Sequence, residues 1–475
     1  MSQTWRARGA RAAEWLMPWA MGGLFLWSAF RLSAFHVHPA FFSSDFLDYC
    51  LAMATLEDPA LELWPDRRSR AAALLSWPFL GRGVVPGLYM GTQLALVLTG
   101  AGIYQWARSL AGPLAGVVAV LLGVAMGPNM GALRMLSFYP TLTATMVFAG
   151  LMVAMAWTRA RPQDFLGLGL SVGACLLVDV RGALWAVPAL LSGLAAVGFS
   201  DIRWGARRWG RPLALVLLLL PVALSWPVAE LAYPEHAVTL EGQLDVSNLT
   251  NTPEFGEDLM SGFVWGSSPP SEWLDSARTL LTERDKALAL IPDNARLQPP
   301  GARNAHVLPW RWPALLALLS SGVFLVRRPR VLAGLTLSLL PFGVALYGAL
   351  NGLDLQLRFL SHIAPALAVL LGVGLALPAQ FLADAWGCRD PRRGRAVRAT
   401  QVLGVGLLAL AVYGLLPSPL APDAAWRQRW SPGVAQLRAA IEVRAGSLTP
   451  DNEVERTQAC AQSLGPRSAA FHPGD

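Results

Sequence analysis

Eleven apolar runs divide the 475-residue chain and restrict what it can fold into. They are Trp15–Phe30, Val84–Trp106, Leu114–Met130, Leu136–Trp157, Phe165–Val178, Ala183–Phe199, Leu213–Leu231, Pro313–Val326, Val331–Leu350, Phe359–Leu382 and Val402–Leu416. In hydrocarbon a single segment satisfies its own backbone groups only as a helix. Eleven spans of about 20 residues use about 220 residues, close to half of this chain. The solvating residues are correspondingly scarce: charged side chains make up 15%, where a soluble domain carries about 25%. That excludes a soluble enzyme, a disordered chain and a fibrous one. The expected fold is an all-α polytopic membrane protein of about 11 transmembrane helices.

The region Phe165–Phe199 decides the count. It is too long for one span, and Asp179-Val180-Arg181 interrupts it midway, so two short helices forming a hairpin fit better. Arginine placement agrees. With the N-terminus cytoplasmic, the inner segments carry Arg6, Arg8 and Arg11, then Arg108, Arg159 and Arg161, then Arg203, Arg207, Arg208 and Arg211. Further along come Arg327, Arg328 and Arg330, and a last group from Arg389 to Arg398. The three short outer loops hold one each, Arg134, Arg181 and Arg358. This is the positive-inside asymmetry, and it holds only if Phe165–Phe199 crosses twice. The predicted topology is N-in and C-out. Residues 1–416 form the transmembrane domain, with long outer loops at 31–83 and 232–309, and residues 417–475 form a short outer tail. Arg6, Arg8 and Arg11 lead into the first run without a small-residue cleavage site, which reads as a signal anchor.

The net charge of +7 does not indicate a nucleic-acid partner. Lys286 is the sole lysine, and arginine usage of that kind beside abundant Ala, Gly, Leu and Pro reflects a GC-rich genome. Cys50, Cys175, Cys388 and Cys460 show neither a CxxC nor a His-paired spacing, so they imply no metal site and no disulfide framework. Asn248-Leu249-Thr250 matches a glycosylation sequon by chance.

Chemistry concentrates in the first outer loop, around Ser43-Ser44-Asp45-Phe46-Leu47-Asp48-Tyr49. Asp45, Asp48 and Tyr49 fall at i, i+3 and i+4 and share a helix face. Phe46, Leu47, Cys50 and Leu51 cover another, suited to the membrane interface. Trp64-Pro65-Asp66-Arg67-Arg68 follows, and then Ala71–Leu80, a second short amphipathic or apolar helix. Juxtamembrane helices are thus expected just outside the first span.

These residues resemble the GT-C superfamily of membrane glycosyltransferases, which includes the protein O-mannosyltransferases and the lipid A aminoarabinose transferase. Members carry an essential acid in the first outer loop, and here Ser44-Asp45 takes that place. The resemblance continues through Arg134-Met135-Leu136-Ser137-Phe138-Tyr139-Pro140, through Leu177-Val178-Asp179-Val180-Arg181-Gly182, and through Arg358-Phe359-Leu360-Ser361-His362 with Pro365. Two departures stand out. Many members have adjacent acids where this chain has Asp45-Phe46, so Asp48 is the alternative second acid. Many also carry a His-Pro-Pro stretch where Asp66-Arg67-Arg68-Ser69 stands here.

The resemblance implies transfer of a sugar from a polyprenyl-phosphate carrier to a lipid, glycan or protein acceptor on the outer face of the membrane. A hydroxyl becomes a competent nucleophile when a carboxylate takes its proton, the role implied for Asp45. The leaving group is a lipid phosphate, which arginine binds through a planar fork of donors. Arg67, Arg68, Arg134, Arg181 and Arg358 are the candidates, with Asp179 and His362 as further substrate contacts. Some relatives use a divalent metal beside the acidic loop and others none; both alternatives stay open for Asp45.

Each residue also has a structural reading. Asp45 after Ser44 can serve as a helix cap; Asp48 can be a solvated neighbour. Asp179 and Arg181 can close a hairpin as an ion pair, and Arg67, Arg68 and Arg358 can hold lipid headgroups. Tyr139 reads as an aromatic-belt residue. Two other functions compete: a transporter or flippase of lipid-linked sugars, which would place ionisable groups at mid-membrane, and a non-catalytic assembly subunit that uses the acidic 232–309 loop.

Overall fold

The computed structural model describes residues 14–28, 75–82, 84–126, 138–178, 182–199, 202, 207–232, 311–343, 363–387, 401 and 403–410. Among the described residues all regular structure is helical. The helices are α1 (14–28), a 3-10 helix at Trp77–Arg82, α2 (Val84–Ala125), α3 (Phe138–Thr158), α4 (Pro162–Val178), α5 (Ala183–Phe199), α6 (Arg207–Ala232), α7 (Arg311–Leu325), α8 (Pro329–Ser338), α9 (Ala364–Gly387) and α10 (403–410). Three stretches are long and apolar enough to cross a membrane, judged by length and composition: Met90–Ala125, Tyr139–Thr158 and Ala364–Leu382. Pro162–Val178, Trp185–Phe199, Trp209–Ser225 and Trp312–Leu325 are shorter apolar helices.

Helix α2 covers two of the apolar runs, and its 42 residues do not run straight. At Ala111 φ is −139°, and at Gly112 φ is +83° with ψ 179°, a conformation open in practice only to glycine. The chain reverses there. A Cβ added at Gly116 would lie 2.6 Å from the Tyr104 ring, whereas twelve residues along a straight helix span about 18 Å. Residues 84–110 and 113–125 are therefore two antiparallel arms, matching the two runs expected from the sequence.

Close approaches between small residues and facing helices give the direction of every neighbour, as expected where packing rather than hydrophobicity joins helices. Helix α1 is antiparallel to the first arm of α2: Gly100 meets Phe25, and Glu14 pairs with Arg108 at 3.5 Å. Helix α3 runs parallel to that arm, with Gly102 against Val147 and Gly150 against the Trp106 ring. The α3–α4 hairpin turns through Ala160, at φ 50°. Helix α5 returns along α4, and α6 lies parallel to α4, with Gly169 on the Leu218 carbonyl and Gly173 near Ser225. On the other flank α8 descends antiparallel to α3: Gly334 faces Ala154 and Trp157, and Trp106 Nε1 donates to Ser338 Oγ at 3.0 Å. Helix α9 packs antiparallel on the second arm of α2, where Gly372 meets Ala119 and Gln380 Nε2 donates to the Ala111 carbonyl. It is parallel to α7, with Ser320 Oγ donating to the Gly374 carbonyl at 3.1 Å and Phe324 against Phe381 at 5.4 Å.

Three local expectations need correction. The run Val331–Leu350 does not begin as one long helix: α8 ends at Ser338, and a separate helical turn covers 340–343. Pro341 has no N–H to donate to the preceding turn, which breaks the ladder. The second juxtamembrane helix expected at Ala71–Leu80 is, over its described part, a turn leading into the 3-10 helix Trp77–Arg82. Pro78 and Gly81 in this segment are poor α-helix formers. Tyr139 is not a lipid-facing belt residue: its side chain is 1% exposed, inside the core at the start of α3.

Candidate functional site

The helix directions sort the ends of the bundle into two sets. One set gathers Glu14, Arg108, the Arg159–Arg161 turn, Phe199, Arg207, the Leu325–Pro329 turn and Gly387. This is the arginine end. The opposite set gathers Ser28, Val84, Ala125, Phe138, Val178, Ala183, Ala232, Arg311 and Ala364.

Asp45, Asp48, Arg67, Arg68, Arg134, Asp179, Arg181, Arg358 and His362 all lie outside the described residues. The helix ends that flank them do not. Asp45, Asp48, Arg67 and Arg68 fall between Ser28 and the 3-10 helix; Arg134 falls between α2 and α3; Asp179 and Arg181 fall between α4 and α5; Arg358 and His362 precede α9. Every one of those helix ends belongs to the end opposite the arginines.

Described side chains at this end hold it tightly. Ser76, 5% exposed, sits where a Cβ on Gly91 would be, which brings the 3-10 helix against the first arm of α2. Gly182 abuts the Cys175 carbonyl, so the chain re-enters α5 directly beside the last turn of α4. Tyr139, Thr141 and Thr143 are buried in the first turns of α3, the segment that follows Arg134. Sequence reasoning gave none of these hydroxyls a place in the site. The signal available was Tyr139-Pro140-Thr141-Leu142-Thr143, a polar start to an otherwise apolar run. Among the described residues no group of three or more His, Cys, Asp or Glu is arranged to hold a metal ion.

The described part of this end offers buried hydroxyls next to the connections that bear the candidate residues. The family model for dolichyl-phosphate-mannose-protein mannosyltransferases matches residues 81–226, a stretch that includes Arg134, Asp179 and Arg181 but neither Asp45 nor Arg358. The resemblance to GT-C glycosyltransferases read from the sequence is borne out by that match and by the fold.

Among solved structures, the chain resembles the oligosaccharyltransferase AglB from Archaeoglobus fulgidus in complex with an inhibitory peptide and a dolichol-phosphate. The identity is 14% and the TM-score 0.52, over 94% of this chain and 60% of that one. The apo form of the A. fulgidus enzyme gives 15% identity and a TM-score of 0.50 over the same shares. This chain thus spans about three fifths of the length of those enzymes. ArnT from Cupriavidus metallidurans bound to undecaprenyl phosphate gives 16% identity and a TM-score of 0.33, over 78% of this chain and 80% of that one. No curated protein matches the sequence.

Proposed function

We propose that this chain is a membrane glycosyltransferase that moves a sugar from a polyprenyl-phosphate carrier to an acceptor hydroxyl. One observation carries the proposal: the helix ends flanking all nine candidate residues share one end of the bundle, and the short arginine-bearing turns occupy the other. The family match and the fold shared with AglB, whose structure is in complex with an inhibitory peptide and a dolichol-phosphate, support the same chemistry. Under this proposal the eleven apolar helices span the cytoplasmic membrane of a bacterium with the N-terminus inside. Residues 1–416 make up the catalytic domain, residues 417–475 form an outer tail, and the reaction takes place on the periplasmic face.

In the proposed step Asp45 accepts the proton of the acceptor hydroxyl as that oxygen bonds to the anomeric carbon. The bond from that carbon to the phosphate oxygen breaks, and the polyprenyl phosphate leaves with the electron pair. Arg134, Arg181 and Arg358 offset the charge left on the phosphate, with Arg67 and Arg68 facing them from the first loop. Asp48 is the alternative second acid, and Asp179 and His362 position the sugar. A divalent ion beside Asp45 is the cofactor alternative; loss of transfer in EDTA with restoration by Mn²⁺ assigns it. The acceptor is a lipid, a glycan or a protein.

A transporter is disfavoured by burial. The charged residue buried among the described ones is Asp164, in the first turn of α4 at the arginine end, and the middles of the described helices bury only hydroxyls. Membranes holding the chain, supplied with labelled polyprenyl-phosphate sugars, should transfer label to an endogenous acceptor, and Asp45→Asn should abolish transfer. Normal transfer by that variant would remove the proposed base.

A further inference from the structure

Among the described residues, the arginine end carries more arginines than carboxylates. Helix α8 enters beside the exit of α3, because Gly334 packs on Ala154 and Trp157. One turn back from Gly334, α8 begins beside the Arg159–Arg161 turn, with Arg327 and Arg328 just before it. Helix α6 enters beside α4, since Gly169 lies on Leu218 and the parallel register carries back to Asp164 beside Pro212. The chain therefore sets Arg327, Arg328, Arg159, Arg161 and Arg211 in a row across four neighbouring helices, all five exposed. At about 10 Å between axes the row is roughly 30 Å long.

Carboxylates at this end are few among the described residues. Glu14 is already with Arg108 at 3.5 Å. Asp164 is 1% exposed and turned inward, where its Oδ2 accepts the Arg161 backbone N–H at 3.0 Å. Asp384 is exposed near the end of α9. The row also has a fixed depth. Trp209, 64% exposed, sits two residues before Arg211, and exposed Val326 directly precedes Arg327. Trp15, also exposed, stands on α1 at the same end. Exposed indoles beside guanidinium groups are the combination enriched where acyl chains meet headgroups.

We propose that this arginine row is a binding surface for acidic phospholipid headgroups, on the face of the membrane away from the candidate active site. Each guanidinium donates to headgroup phosphate oxygens while the neighbouring apolar side chains lie against acyl chains. A soluble phosphate could satisfy the donors but not the apolar flank, and that separates the two sources.

The test uses the full-length protein in bilayer nanodiscs made from equimolar phosphatidylcholine and phosphatidylglycerol, with spin-labelled analogues of each reporting the lipid immobilised on the protein. The wild type is expected to hold the acidic lipid about fivefold or more over the neutral one, the factor one basic residue supplies near a membrane surface. The triple variant Arg159→Gln/Arg161→Gln/Arg328→Gln should hold the acidic lipid with a clearly smaller preference, and the matching triple lysine variant should keep the wild-type value. Raising salt should weaken the wild-type preference as the screening length falls to about 3 Å at 1 M, a readout that needs no variant to fold. Equal retention of both lipids by the wild type, or an unchanged preference in the glutamine variant, overturns the proposal. Displacement of the acidic lipid by millimolar inorganic phosphate also overturns it, by assigning the row to a soluble anion.

Discussion

The carbonyl oxygen of Cys175 occupies the space in which a side chain at Gly182 would begin. The last turn of α4 and the entry to α5 thus already touch at these two backbone points. Gly182→Ala forces these two helix ends apart. Overpacking of this kind costs about 1–3 kcal/mol. The expected outcome is a lower unfolding midpoint in detergent and, under the proposed reaction, a fall in transfer larger than the stability loss explains, because the connection that bears Asp179 and Arg181 joins these two helix ends. Unchanged transfer in the folded variant would separate that connection from the site.

Under the proposed reaction Asp45 and the arginines fail in different ways. General-base catalysis contributes about 10²–10⁴-fold, so Asp45→Asn should lower kcat by that order with little change in KM for the lipid-linked sugar. Arg358→Gln should raise KM for the same donor, since a phosphate contact acts in the bound ground state as well as in the transition state. Initial rates in proteoliposomes at varied donor concentration distinguish the two patterns.

Trp106 links three helices: it fills the space left by Gly150 on α3 and donates from Nε1 to Ser338 Oγ on α8. Ser338 Oγ in turn donates to the Leu335 carbonyl at 3.0 Å. Trp106→Phe leaves the Ser338 oxygen without its donor in a buried position, at a cost of about 1–3 kcal/mol. Thermal unfolding of Trp106→Phe, Ser338→Ala and the double variant should give a non-additive cycle, as contacting residues do.

Gly112 stands at φ +83° beside the Gln380 side chain, and a Cβ there would come within 3.1 Å of Nε2. Gly112→Ala should therefore destabilise by about 1–3 kcal/mol from backbone strain. Replacing Gln380 by Ala in the same chain should recover only the smaller steric part. Unfolding midpoints of the two variants against wild type check this.

Much of this architecture is visible in the run lengths and their interruptions. Each of the eleven apolar runs contains a described helix, and the break at Asp179-Val180-Arg181 does separate α4 from α5. The hidden part concerns faces. These helices are apolar almost all round, and a lipid tail is as apolar as a leucine, so periodicity does not show which side packs inward. That is why Tyr139 reads as a belt residue although it is buried, and why the inward turn of Asp164 onto its own helix start goes unseen. The ninth run misleads for a different reason: composition carries it past Pro341, while hydrogen bonding does not. The candidate residues were chosen by motif and charge, and only the helix ends around them are described.

Each of the long described helices runs from one end of the bundle toward the other, so where the next segment emerges depends on whether the number of traverses before it is odd or even. The reversal at Ala111–Gly112 contributes one unit to that parity. Were residues 84–125 a single traverse, the 127–137 connection and its Arg134 would emerge on the side of Arg108, and every later connection would exchange sides with its neighbour. The segment that bears Asp45 would then be separated from those bearing Arg134, Asp179, Arg181 and Arg358 by the full thickness of the bundle. One glycine, at the end of the bundle opposite the helix ends that flank the candidate residues, decides whether those helix ends share a side.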